Sequence, residues 1–214
     1  MKKYLTEFIG TFFLVLTVVM VVNNPGIDPM APLAIAGMYL AMIYAGSHIS
    51  GGHFNPAITI AFLMRRQINR GDALYYIIVQ LIASVLSAAI GVYLHDCSGG
   101  LEIVARVNEQ PICTVMGEFL GTFVLVYVFL NVTNTGKTDR NDFSGLAIGF
   151  SVLAMSYGLG DLSGGAFNPA IVLGGSVAGM FGWDDLLFYL IGSLLGAAAA
   201  ATAIQLIDRK EAEM

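Results

Sequence analysis

Hydrophobic residues dominate six stretches of the chain, each about as long as a bilayer core is thick. They cover approximately Tyr4–Val22, Pro32–Ile49, Ala73–His95, Cys113–Asn131, Phe143–Gly160 and Leu186–Ile207. Apolar runs of about 20 residues match the hydrocarbon core of a membrane when they form helices. The pattern therefore predicts an all-α membrane protein with six transmembrane helices, forming a single transmembrane domain over residues 1–214.

Composition supports this class of protein. Hydrophobic residues make up 57% of the chain and charged residues 12%, whereas a soluble domain usually carries about a quarter charged residues. The first apolar run lies where a secretory signal would lie, but its core is too long for one and Glu7 interrupts it. We therefore interpret it as the first spanning helix.

The basic residues predict the orientation. If the six helices alternate in direction, all ten Lys and Arg except Arg106 lie on one side: Lys2, Lys3, Arg65, Arg66, Arg70, Lys137, Arg140, Arg209 and Lys210. The positive-inside rule then places both termini in the cytoplasm. We expect the protein to lie in the cell (inner) membrane. Since these residues lie where the topology requires them, the charge pattern gives no indication of nucleic-acid binding.

The chain contains an internal repeat, with copies at about 1–95 and 112–207. EFIGTFFLVLTVV at Glu7–Val19 returns as EFLGTFVLVYVFL at Glu118–Leu130, and Leu33–Ile58 matches Leu146–Ile171 at 15 of 26 positions without a gap. Because each copy holds three spans, an odd number, the two copies must cross the membrane in opposite directions. Inverted repeats of this kind place the functional site at the midplane, where the halves meet.

Both copies contain the motif SGGxFNPAI, which predicts two half-helices. Asparagine is a preferred helix N-cap and proline is favoured at the first helical position, so new helices begin at Asn55 and Asn168. They run to about Arg66 and Met180, and a length of about 18 Å is little more than half of the ~30 Å core. We therefore predict two re-entrant half-helices that meet N-terminus to N-terminus and form a seventh span.

This meeting point predicts a wet site that repels cations. Each helix N-terminus carries about half a positive elementary charge, and irregular backbone at membrane depth persists only where it is buried in protein or lines a water-filled cavity. We expect the side-chain oxygens of Asn55 and Asn168 to cap the helices and their NH₂ groups to donate into the lumen. A water molecule that accepts from both donors relays no proton.

These motifs resemble the aquaporin (major intrinsic protein) family over essentially the whole chain. The resemblance is carried by HISGGHFNPA at His48–Ala57, SGGAFNPA at Ser163–Ala170, and the Glu-Phe-x-Gly-Thr-Phe openings at Glu7 and Glu118. It implies a homotetramer with one pore per subunit, no cofactor, and flux of water or small neutral solutes. The pore motifs are then Asn55, Pro56, Ala57, Asn168, Pro169 and Ala170.

The resemblance also implies supporting residues for the loops. Glu7 and Glu118 would accept N–H bonds from the re-entrant segments, and we expect His48 and its copy Asp161 to support the loops by hydrogen bonds at the vestibules. The scattered His and Cys residues predict no metal site. Cys97 and Cys113 lie on the outer side in this topology, where we favour free thiols over a disulfide.

One position departs from the family pattern. The residue after the second Asn-Pro-Ala is usually arginine but here is Ile171, and ungapped spacing places the other three constriction residues at Ile35, Ser156 and Gly165. None of the four is aromatic or charged, which predicts a wide constriction that admits solutes larger than water. Alternatively, Ile171 meets its copy Ile58 across the lumen and forms a dry plug, since hydrophobic constrictions gate by dewetting.

One other functional class, the secondary transporters, shares part of the pattern. Secondary transporters also combine inverted repeats with broken helices, but ion coupling needs a titratable or carbonyl-rich midplane, where this chain offers Asn55 and Asn168. Downhill flux that is insensitive to ion gradients distinguishes a channel. An enzyme is disfavoured because no nucleophile, base and orienting group converge.

Overall fold

Eight α-helices make up most of the computed structural model, which describes residues 1–22, 28–98, 110–133 and 143–212. Within those ranges the helices are α1 (Lys2–Val21), α2 (Ala31–Ser50), α3 (Pro56–Met64), α4 (Arg70–Cys97), α5 (Pro111–Val132), α6 (Ser144–Ser163), α7 (Pro169–Val177) and α8 (Leu186–Ala212). Six of them, all except α3 and α7, are long and apolar enough to cross a membrane. The predicted fold class is therefore confirmed.

The structure describes only some of the residues on which the predicted orientation and the cysteine chemistry depend. Arg106, Lys137 and Arg140, which contribute to the predicted orientation, lie outside the described residues. Cys97 and Cys113 are described, and both are free thiols. The structure therefore agrees with the preferred interpretation of these two cysteines.

The packing of the helices follows the internal repeat. In the first copy α1 packs against α2 and α4, and in the second α5 packs against α6 and α8, while α2 contacts α6 between the copies. Each half-helix packs mainly on a helix of the other repeat. Helix α3 packs more extensively on α8 than on α4, and α7 packs more extensively on α4 than on α8. Each re-entrant segment is thus buried chiefly by the opposite repeat.

The half-helices α3 and α7 stop two or three residues before their predicted ends. Arg66 and Gly179 adopt left-handed backbone angles, with φ of 58° and 82°. The next residues, Gln67 and Met180, donate their N–H groups to carbonyls of the last helical turn at 2.9 and 2.7 Å. This Schellman-type turn satisfies carbonyls that would otherwise be left without a partner where the helix ends.

Two glycines allow the re-entrant loops to approach their neighbouring helices. A Cβ atom added to Gly10 on α1 would lie 2.2 Å from Cε1 of Phe54, and one added to Gly121 on α5 would lie 2.1 Å from Cε1 of Phe167. Each phenylalanine immediately precedes a pore asparagine and is 1% exposed. The two glycines therefore determine how closely the loops pack against the helices.

We expect Gly10→Ala and Gly121→Ala to lower the thermal unfolding midpoint of the detergent-solubilised protein. The added methyl group must displace a buried ring, and overpacking of this kind costs about 1–3 kcal/mol. Gly37→Ala on α2 and Gly158→Ala on α6 are matched controls, because a Cβ there meets nothing within 4 Å. Alanine is the better helix former, so the controls should unfold at or above the parental midpoint, and equal midpoints for both pairs would contradict the packing argument.

Candidate pore between the re-entrant loops

The two asparagines cap the half-helices as the Asn-Pro sequence predicts. The Oδ1 atom of Asn55 accepts the N–H of Ala57 at 2.8 Å, and that of Asn168 accepts the N–H of Ala170 at 2.9 Å. Both asparagines have extended backbone, and a proline follows each at the first helical position. All six residues of the two motifs are buried: Asn55, Pro56, Ala57, Asn168, Pro169 and Ala170.

The amide nitrogens of the same asparagines connect the two repeats. Nδ2 of Asn55 donates to the carbonyl of Phe167 at 2.9 Å, and Nδ2 of Asn168 donates to the carbonyl of Phe54 at 3.0 Å. An amide NH₂ group carries two donors, so one hydrogen of each asparagine is left for the lumen. One of the two donors of each NH₂ group thus holds the loops together, a contact that the sequence interpretation did not include.

Glu7 organises the first re-entrant loop from a fully buried position on α1. Its Oε1 accepts the hydroxyl of Ser50 at 2.6 Å and the N–H of His53 at 3.0 Å. Its Oε2 accepts the N–H of Phe54 at 2.7 Å and the side-chain amide of Gln80 at 2.8 Å. All four partners donate, which is the arrangement that an acceptor-only carboxylate requires.

Glu118 holds the second loop in the same way from α5. It accepts the hydroxyl of Ser163 at 2.8 Å and the N–H groups of Ala166 and Phe167 at 3.1 and 2.7 Å. These contacts match the role that the resemblance implies for both glutamates. The sequence interpretation missed Ser163 and its copy Ser50, although the repeated Ser-Gly-Gly triplet was a signal for both.

His48 and Asp161 lie in the last turns of α2 and α6, and both are exposed. The side-chain hydroxyls that reach Glu7 and Glu118 belong to the serines two residues further along the chain, Ser50 and Ser163. Asp161 lines a cavity of about 410 Å³ next to the second loop. The loop-supporting role expected for His48 and Asp161 therefore stays a prediction.

The four predicted constriction residues line one cavity of about 410 Å³, together with Asp161. A second pocket of about 20 Å³ lies next to it and is lined by both pore asparagines and by mostly apolar side chains. Two of the predicted residues, Ile35 and Ile171, line both spaces, whereas Ser156 and Gly165 line only the larger one. The space is therefore wide on the side of Asp161 and narrow where the two half-helices meet.

The two isoleucines of the alternative dry plug, Ile58 and Ile171, differ in their surroundings, and the plug stays a prediction. Ile58 is 0% exposed and lines neither cavity, whereas Ile171 is 6% exposed and lines both. The isoleucine that shares both cavities with Ile171 is Ile35. The narrowing thus involves one residue from α2 and one from α7 rather than the repeat-related pair.

Comparison with known proteins agrees with the geometry. The family model described as major intrinsic protein matches residues 1–204. The chain is 35% identical to glycerol uptake facilitator protein-like 6 of Lactiplantibacillus plantarum, over 99% of this chain and 100% of that protein. It is also 32% identical to the probable aquaporin PIP1-5 of Arabidopsis thaliana, over 96% of this chain and 78% of that protein.

A solved structure has the same fold. The X-ray structure of the aquaglyceroporin from Plasmodium falciparum superposes with a TM-score of 0.78 and covers 94% of this chain and 93% of that chain. At 18% sequence identity this likeness concerns the fold alone. Together with the family match along almost the whole sequence, these comparisons show that the chain belongs to the major intrinsic protein family.

Proposed function

We propose that this chain is a passive channel for water and small uncharged solutes that excludes protons and ions, and that it is not an enzyme. The observation that carries this proposal is the meeting of two helix N-termini at a pocket of about 20 Å³ lined by Asn55 and Asn168. The names of two relatives, a glycerol uptake facilitator-like protein and a probable aquaporin, support this class of solute.

The electrostatics of the midplane support ion exclusion. Helices α3 and α7 each direct the positive end of a helix dipole towards the pocket, equivalent to about half an elementary charge. The remaining amide hydrogens of Asn55 and Asn168 are donors, so a water molecule between them accepts hydrogen bonds from both sides. Such a water molecule is held with its oxygen towards the donors, which interrupts a proton relay, and a cation meets only like charge.

The two cavities support different roles for the outer mouth and the midplane of the path. An outer space of about 410 Å³ accommodates solutes larger than water, such as glycerol, urea and undissociated metalloid acids, as well as ammonia. The midplane pocket of about 20 Å³ is close to the roughly 10–15 Å³ that one water molecule requires on such a scale. We therefore assign a wide constriction to the outer mouth and the tighter selection to the midplane.

For the assembly, we propose a homotetramer in the cell (inner) membrane with one pore per subunit and both termini in the cytoplasm. Two ion pairs support the grouping of basic residues on one side: Lys3 with Asp72 at 2.5 Å, and Arg65 with Asp208. These pairs join the start of α1 to the start of α4, and the end of α3 to α8. The positive-inside rule assigns that side to the cytoplasm.

Liposomes that contain the purified protein are expected to shrink faster than empty liposomes after an osmotic step, with weak temperature dependence. A continuous wet path avoids the cost of dissolving water in hydrocarbon, which is the physical reason for both effects. Stopped-flow light scattering with a panel of osmolytes measures water and solute permeability in the same vesicles. A pH-sensitive dye inside them should report proton flux no higher than in empty liposomes.

Two results would contradict this proposal. Shrinkage at the rate of empty liposomes, with the tetramer intact, would show that the path is closed to water. Solute uptake that follows a proton or sodium gradient would instead favour a secondary transporter built on the same inverted repeats.

A further inference from the structure

Three repeat-related pairs of residues line the midplane pocket, and the members of one pair differ in size. Leu14 on α1 and Leu125 on α5 occupy equivalent positions of the two copies and both line the pocket, as do the two pore asparagines. Tyr39 on α2 also lines it, but its copy on α6 is Val152. A phenol ring on one side of the pocket therefore faces a path whose opposite repeat supplies only an isopropyl group.

The side chain of Tyr39 is held in place by contacts of its hydroxyl and of its ring. It is 2% exposed, and its hydroxyl donates to the carbonyl of His53 in the first re-entrant loop at 3.0 Å. Its ring packs edge-on against Phe54, with the ring centroids 6.4 Å apart and the planes at 69°. Leaving this position would break a buried hydrogen bond and an aromatic contact, so the ring is a rigid part of the pocket wall.

Because the pocket is small, the ring of Tyr39 determines which solutes fit in it. The pocket measures about 20 Å³, enough for about one water-sized molecule. Exchange of tyrosine for the valine found in the other copy would release more space than the ~30 Å³ that one water molecule occupies in the liquid. The ring therefore accounts for a large part of the difference between a pocket of water size and one that holds a small polyol.

We propose that Tyr39 sets the size limit at the midplane and is a specificity-determining residue of the channel; this inference rests on the passive flux proposed above. With the ring in place, the path favours water and neutral molecules close to its size, such as ammonia and hydrogen peroxide. Glycerol and urea enter the outer cavity but stop where Ile35 and Ile171 lead into the midplane pocket.

The test compares Tyr39→Val with Tyr39→Phe in the same liposomes. We expect Tyr39→Val to raise the ratios of glycerol and urea permeability to water permeability on the order of tenfold, because pore diameter governs this kind of selectivity. Tyr39→Phe keeps the ring and removes only the hydroxyl, so its ratios should equal those of the parent. Stopped-flow light scattering with each osmolyte measures all three permeabilities.

A matched control separates loss of the ring from loosening of the loop. The hydroxyl of Tyr76 on α4 also donates to a carbonyl of the first re-entrant segment, that of Ser50, at 2.7 Å. Tyr76 is equally buried at 2% exposure but lines neither of the two cavities. Tyr76→Val is therefore expected to leave the solute-to-water ratios unchanged.

The possible outcomes decide between the two proposals. Unchanged ratios in a monodisperse Tyr39→Val tetramer would overturn the role of Tyr39, as would an equal rise in Tyr39→Phe or Tyr76→Val. If Tyr39→Val does not fold, Tyr39→Leu removes the ring with a different aliphatic side chain and carries the same test. The proposed function fails separately, when the unmodified protein conducts nothing; flux that then appears only in Tyr39→Val would still support the size limit.

Discussion

Glu7→Gln and Glu118→Gln are expected to destabilise the channel more than any other single substitution considered for this chain. Glu7 accepts two donors at each oxygen, from Ser50 and His53 at one and from Phe54 and Gln80 at the other. In glutamine one of these oxygens becomes an NH₂ group that faces two donors. Each buried donor left without a partner costs about 1–3 kcal/mol, so the total is about 2–6 kcal/mol.

Thermal unfolding of the detergent-solubilised protein, together with its monodisperse yield, measures this effect. Asp96→Asn is the matched control, because it makes the same chemical change at an exposed carboxylate on α4. A hydrated carboxylate has water as its partner, so the midpoint of this variant should equal that of the parent. If Glu7→Gln unfolded at the parental midpoint, the loop would not depend on the carboxylate for its position.

The helices could be predicted closely because each apolar run has to cover the same membrane thickness. One difference with a clear cause is at α4, predicted over Ala73–His95 and observed over Arg70–Cys97. There the side-chain oxygen of Asn69 accepts the N–H of Asp72 at 2.9 Å and extends the helix beyond the membrane core. Hydrophobicity identifies the part of a helix that lies in lipid, whereas a polar cap determines where the helix begins.

In the site, local chemistry was predictable and contacts between repeats were not. The capping of α3 follows from Asn55 and the proline after it, but the bond from the same side chain to the carbonyl of Phe167 depends on which loops meet in space. The internal repeat contained a signal for Ser50. It contained none for Gln80, because the copy of Gln80 is Tyr189, and a single polar residue on an apolar helix has several possible partners.

The residues that line the narrow midplane pocket could not be predicted from the sequence, for a physical reason. Leu14, Leu125 and Tyr39 line the pocket, yet they lie on helices that consist mostly of apolar residues. In a soluble protein, hydrophobic side chains indicate the buried face of a helix. In a membrane, lipid is as apolar as the protein interior, so hydrophobicity does not distinguish a lumen-facing residue from a lipid-facing one.

Arginine at position 171 is expected to add a second filter, at the outer mouth. Ile171 lines both cavities, and Ser156 and Asp161 stand on the wall of the outer one. An arginine side chain brings five fixed donors and a permanent charge into this space. In a Tyr39→Val background, which should admit larger solutes, Ile171→Arg is expected to lower glycerol and urea permeability on the order of tenfold and water permeability by less.

Ile171→Met in the same background controls for shape, because methionine is an unbranched apolar side chain of similar volume and brings no donor or charge. Its solute-to-water ratios should match those of Tyr39→Val alone. Arginine at an apolar site in the membrane costs at least ~2.5 kcal/mol on insertion scales, so permeabilities are compared at equal yield of folded protein. If arginine left the ratios unchanged, Ile171 would not face the path, and the assignment of the outer constriction to Ile35, Ser156, Gly165 and Ile171 would be wrong.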